Sequence, residues 1–259
     1  MKVWDLINDR GYPRYRTAGN ERTAFLKVIA LIFMIADHCG ILFFRGVMEW
    51  RVIGRIAYPL YAWCLVVGMG YTRNPVRYSV RLLAMALVSQ FFYMRVMNHS
   101  IGEGNILVTL LLGQLAIYGM QRKTYGSEYW APVLAIVFTM LFKIDYGFKG
   151  VLLVILLYLA KDSRNAIIGT MIAYCLFWGE GTSLLNSLFG LSLSGLKNLT
   201  ANTQSLYSAI FRLQNFAVLS LILIVNQIGW KKRHPVWLSY IAYPGHFFIL
   251  WLVKLLISQ

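Results

Sequence analysis

From residue 23 to the C-terminus the chain is a succession of long apolar stretches, separated by short basic, polar or glycine- and proline-containing breaks. A bilayer core about 30 Å thick takes roughly 17–25 residues of helix to cross. Windows approaching that length predict nine spans, at about 23–44, 52–71, 78–97, 104–120, 129–143, 147–160, 165–178, 207–229 and 236–257. Spans five to seven fall below that length, so tilted, half-crossing or differently divided segments are open there. The expected fold is an all-α, polytopic transmembrane helical bundle, with a basic segment over 1–22 and a single membrane domain over 23–259.

The opening stretch MKVWDLINDRGYPRYRTAGNERT is too polar for a signal peptide. The apolar run after it is too long for a signal core and carries no cleavage pattern, so it is expected to remain as the first span. Between spans seven and eight, GEGTSLLNSLFGLSLSGLKNLTANTQSLYS interleaves leucines with Gly, Ser and Asn. This suits either an interfacial helix or an ordinary loop.

Composition agrees with a membrane protein: 58% of residues are hydrophobic. The net charge of +15 could suggest a nucleic-acid partner. The basic residues are instead scattered in short clusters between apolar segments, where they act as topology signals and anionic-lipid contacts. The lipid bilayer is thus an expected partner and nucleic acid is not. Cys39, Cys64 and Cys175 all fall in apolar segments without CxxC spacing, and no metal site is expected. No internal repeat of the inverted-transporter kind is visible.

With the N-terminus inside, the cytoplasmic segments carry 14 basic residues and the outer ones 8. The positive-inside bias therefore sets the N-terminus in the cytoplasm.

Against this background MIADHCG, at 34–40, stands out. An ionisable side chain costs roughly 2.5–3.5 kcal/mol in a bilayer on insertion scales, so it is rare there unless paired, solvated or used. His38 falls about 22 Å along its helix from the cytoplasmic start, nearer the outer face. The same reckoning brings Arg55, Glu103, Asn105 and Asp145 to that depth, and His246, in YIAYPGHFFIL, near mid-membrane. A polar chamber accounts for this convergence. Histidine suits proton transfer because its ordinary pKa of about 6.5 is close to working pH. Consecutive helical residues point about 100° apart, so Asp37 is free to pair with a cation such as Arg55. Bland roles stand beside these: a snorkelling Arg55, an Asp145 paired with Lys143 or Lys149, a structural His246, and solvated His99 and His234.

The segments LKVIALIFMIADHCG, IGRIAYPLYAWCLVVGMGYTRN, RLLAMALVSQFFY, GEGNILVTLLLGQL, KIDYGFKGVLLV and YIAYPGHFFIL, in this order, resemble the TraX family, membrane proteins that acetylate the N-terminus of conjugative pilin. The likeness runs over about 25–255. It implies acetyl-CoA as donor, a membrane-inserted pilin subunit as partner and the bacterial inner membrane as location. Asp37 and His38 fall on the family's DH, Gly54 and Arg55 on its GR, Glu103, Gly104 and Asn105 on its EGN, and His246 on its final histidine.

On that resemblance His38 is expected to act as general base, Asp37 to orient or stabilise it, and Asn105 or Arg55 to donate to the developing oxyanion. Arg73, Arg77 and Arg81, with His246 deeper in the membrane, are expected to bind the CoA donor, and Lys231, Lys232 and Arg233 stand in reserve. Cys39 could accept the acetyl group first, although it points about 100° from His38. A hydroxyl of an envelope glycan is the alternative acceptor. A small proton-coupled transporter is the alternative class.

Overall fold

The computed structural model describes residues 23–100, 102–193, 201–226, 228 and 236–257. The basic segment 1–22, His234 and the reserve cations Lys231, Lys232 and Arg233 lie outside them.

The architecture is all-α. In chain order the helices are α1 (Thr23–Leu42), α2 (Met48–Gly54), α3 (Ala57–Tyr71), α4 (Pro75–Met97), α5 (Ile106–Arg122), α6 (Ser127–Leu141), α7 (Gly147–Ala160), α8 (Arg164–Gly179), α9 (Ala201–Ile210), a 3-10 turn (Leu213–Leu219), α10 (Ser220–Val225) and α11 (Val236–Ile257). Three helices are long and apolar enough to cross a membrane: α1, α2 and α3 read together as Met48–Tyr71, and α4. The other apolar helices are shorter, and nine full spans are not found among the described residues.

Two predicted spans are interrupted. The second is jointed at Arg55–Ile56, where helical turns continue through i→i+3 bonds from Arg55 to Val52 and from Ile56 to Ile53. The eighth breaks at Phe211–Arg212. There the Asn215 amide donates to the carbonyls of Ala209 and Ile210, and Arg212 donates to those of Ser208 and Thr182. Backbone at membrane depth leaves the helix only where such groups find partners inside the protein.

The boundaries follow local chemistry. Asn74 caps α4 by accepting the Arg77 N–H, with Pro75 at the first helical position. At its other end Asn98 turns left-handed, and Lys254 donates to the carbonyls of Arg95 and Val96. Ser163 caps α8 in the same manner as Asn74. The glycine- and serine-rich stretch after α8 contains a two-residue-per-strand hairpin, Ser187–Leu188 with Leu191–Ser192. It turns on Phe189 and Gly190, both at positive φ.

Helix α3 is the axis of the bundle, with Tyr58, Leu60, Ala62, Trp63, Val66 and Val67 all fully buried. It is apolar all round, as a helix surrounded by others must be. α1, α5 and α7 pack on it, α11 lies between α1 and α4, and α6 sits outside α5 and α7. The outer faces of α4, α6 and α11 expose Leu87, Leu141 and Leu256 among many large apolar side chains. An apolar exterior of this extent is what a hydrocarbon surrounding requires.

Candidate active site

The polar residues of α1 are gathered by a close helix approach. A Cβ placed on Gly54 would lie 2.3 Å from the Cβ of Asp37, so only glycine lets α2 come this near to α1. Arg51 and Arg55, one helical turn apart, then both reach Asp37: Arg51 Nε donates to Oδ1 at 2.8 Å and Arg55 donates to Oδ2 at 2.5 Å. Arg55 also donates to the Arg51 carbonyl at 3.3 Å and to Gln214 Oε1 at 3.4 Å. Asp37 does not bond His38; the 100° offset sends the two side chains to different partners.

The partner of His38 is His246, whose Nε2 lies 3.2 Å from His38 Nδ1. The Nδ1 of His246 faces the Ala242 carbonyl at 3.4 Å. A carbonyl only accepts, so the network assigns the hydrogen to His246 Nδ1 and leaves Nε2 to accept from His38 Nδ1–H. The lone pair of the pair is then on His38 Nε2. Phe247 packs on both rings.

Asp37, His38, Arg51 and Arg55 line a cavity of about 360 Å³, together with Tyr93, His99, Asp145, Tyr146, Gln214 and Tyr243. A second cavity, of about 750 Å³, runs along the other halves of the same helices. It takes the start of α1 (Lys27, Leu31), the end of α3 (Cys64, Gly68), the turn before α4 (Arg73) and the start of α4 (Arg77, Arg81). Ile106 and Tyr243 line both cavities. Among the described residues, Lys27, Arg73, Arg77 and Arg81 have no acidic partner within ion-pair distance.

A family model described as TraX protein matches residues 22–254. The chain belongs to the TraX family. It is 25% identical over 224 residues to an uncharacterised protein of Rickettsia prowazekii strain Madrid E, covering 82% of this chain and 86% of the relative. It is 35% identical over 107 residues to a probable fimbrial assembly protein FimC, serogroup H1, of Dichelobacter nodosus, covering 36% and 43%. To protein TraX of Escherichia coli it is 28% identical over 157 residues, covering 57% and 62%. No solved structure matches.

The TraX-like motifs separate in space. Those of α1, α2 and α11 meet, as described. Asn105 does not join them at the cavity wall. It is fully buried as the cap of α5: its Oδ1 accepts the Leu107 N–H, and its amide donates to the Ala86 carbonyl and to Gln90 Oε1. Its hydrogens are spent on structure, so of the two expected oxyanion donors only Arg55 lines the cavity. Glu103 accepts from Lys143 and His99, and both bonds hold its carboxyl below the usual range. Gly104 bridges to Ile144, joining the loop before α5 to the loop before α7. His246 is at His38 and does not line the arginine-bearing cavity, where Ala242 and Tyr243 represent α11.

Sequence reasoning missed Arg51, His99 and Gln214 on the wall of the TraX-family site. The i, i+4 spacing of Arg51 and Arg55 was a usable signal for the first. His99, stacked on Tyr93, and Gln214, in the broken eighth span, carry no periodic signature.

Proposed function

We propose that this chain is a membrane acetyltransferase, moving an acetyl group from cytoplasmic acetyl-CoA to the N-terminal amine of a pilin subunit in the bacterial inner membrane. The observation that carries the reading is the meeting of the two cavities at Ile106 and Tyr243. One end offers cations without acidic partners, the other a histidine with a lone pair. The names of two relatives, a probable fimbrial assembly protein and TraX, support a pilus-related acceptor.

The residues fit the donor. Arg73, Arg77, Arg81 and Lys27 would hold its phosphates by charge-assisted hydrogen bonds, and the apolar residues of the wall, Leu31, Leu65, Leu82 and Leu107 among them, suit its arm. When bound, acetyl-CoA supplies an activated acyl carbon. His38 Nε2 takes the proton of the attacking amine, and His246 fixes the tautomer and orientation of that ring. Arg55 has five N–H hydrogens and three bonds made, so it keeps donors for a developing oxyanion. Asp37 holds both arginines in place. With the N-terminus of α1 inside, the cationic end opens to the cytoplasm and the histidines lie toward the outer leaflet.

The test uses the protein reconstituted in vesicles with radiolabelled acetyl-CoA and a processed pilin subunit. Label is expected on the pilin N-terminus, and His38→Ala is expected to remove it while the protein remains inserted. Label on a glycan, or full transfer by the His38 variant, overturns the reading.

A further inference from the structure

One carboxylate on the cavity wall has no use in the arrangement above. Asp145 sits in the turn between α6 and α7, and the backbone fixes it firmly. Its N–H donates to the Gly104 carbonyl at 2.8 Å, its carbonyl accepts from the Thr109 hydroxyl, and its Oδ1 accepts the Tyr146 N–H at 3.0 Å. Neighbouring cations are engaged elsewhere. Arg51 and Arg55 are on Asp37, Lys143 and His99 are on Glu103, and Lys149 reaches the carbonyls of Trp178 and Glu180. Among the described residues, Asp145 Oδ2 has no hydrogen-bond partner, and the residue lines the same cavity as His38.

A half-buried carboxylate without a cation in direct contact is costly, and a cationic occupant would offset the cost. The rest of the wall suits a cation too. Tyr93, Tyr146, Trp178 and Tyr243 line the cavity, and aromatic faces attract ammonium groups. A neutral sugar hydroxyl could donate to the carboxylate but would leave its charge without compensation.

We propose that Asp145 is the acceptor-binding carboxylate of the site, holding a protonated primary amine beside His38 and selecting it over a neutral hydroxyl. The assignment rests on the acetyltransferase reading and adds the residue that decides its acceptor class. In the step it serves, the ammonium gives one proton to His38 Nε2. The freed amine forms the N–C bond as the C–S bond breaks, and the leaving thiolate takes the second proton from the new amide nitrogen. One proton is released overall, from His38.

The experiment is a binding measurement without acetyl-CoA, so its outcome is independent of whether transfer occurs. The full chain in nanodiscs is titrated with a fluorescent peptide carrying the N-terminal residues of mature pilin, its α-amino group either free or acetyl-capped. The unaltered protein is expected to bind the free amine about tenfold or more tighter, the worth of one charge-assisted bond. Asp145→Asn is expected to erase that preference and Asp145→Glu to keep part of it. Equal binding of both peptides by the unaltered protein, or an undiminished preference in a folded Asp145→Asn variant, overturns the proposal. A preserved preference without any acetyl transfer overturns the acetyltransferase instead.

Discussion

His38 Nδ1 and His246 Nε2, 208 residues apart in the chain, stand 3.2 Å from each other with their ring planes within 5°. The Ala242 carbonyl behind His246 directs the hydrogens, so the pair presents one basic nitrogen to the cavity. The second histidine positions the first.

The relation yields an ordering of variants. His38→Ala should lower acetyl transfer by about 10²–10⁴-fold, the usual contribution of a general base. His246→Ala should cost less, and His246→Gln, whose amide oxygen can still accept the Nδ1–H, should recover part of it. Initial rates with saturating donor test the order; equal rates for the His246 variants and the unaltered protein would remove the positioning role.

The Asp37 ion pairs are buried enough to matter for stability. The side chain of Asp37 is 10% exposed and that of Arg55 12%. Asp37→Asn leaves two guanidinium groups without their shared counter-charge, and removing one partner of a buried pair typically costs about 3–5 kcal/mol. Thermal unfolding in detergent should show a clear fall in midpoint, and the variant should lose transfer as Arg55 moves. An unshifted midpoint refutes the structural role.

Gly54 offers a test of the helix approach itself. Gly54→Ala inserts a methyl group 2.3 Å from the Asp37 Cβ, an overpacking that costs about 1–3 kcal/mol where the backbone must shift. Gly169→Ala, on the exposed face of α8 with nothing near its would-be Cβ, is the control and should be neutral or gain up to about 1 kcal/mol from helix propensity. Comparable behaviour of the two variants in the same unfolding assay contradicts the packing argument.

At the other cavity, Arg77→Gln should raise the KM for acetyl-CoA about tenfold or more by loss of one charge-assisted bond, with the KM for pilin little changed. Arg73→Gln and Arg81→Gln should act in the same direction. A change confined to the pilin KM would detach these arginines from the donor.

Acceptor binding should depend on pH through Asp145. Burial pushes its carboxyl up to about 6, against the opposing pull of Arg55. Above that value it is ionised and holds an ammonium; as pH falls through about 6 it gains a proton and the attraction fades. A free α-amino group is itself protonated below about 7.7–8.0, so peptide affinity should be greatest between about pH 6 and 8. The acid-side decline should disappear in Asp145→Asn. If it persists unchanged in that variant, another group is responsible.

The hydrophobic pattern alone settled that this is a helical membrane protein, because spans are set by bilayer thickness and need no knowledge of neighbours. It also marked His38, Asp37, Arg55 and His246, since an ionisable residue in an apolar run stands out without any fold. Pattern could not say what those residues touch. A helix position fixes depth along one axis, whereas partners depend on how helices are rotated and how closely they approach. Packing therefore decided that Asp37 serves two arginines, that His38 meets His246, and that Asn105 is a cap. It decided too that the eighth apolar stretch is broken at Phe211–Arg212, because the Thr182 carbonyl that Arg212 meets there comes from a distant part of the chain.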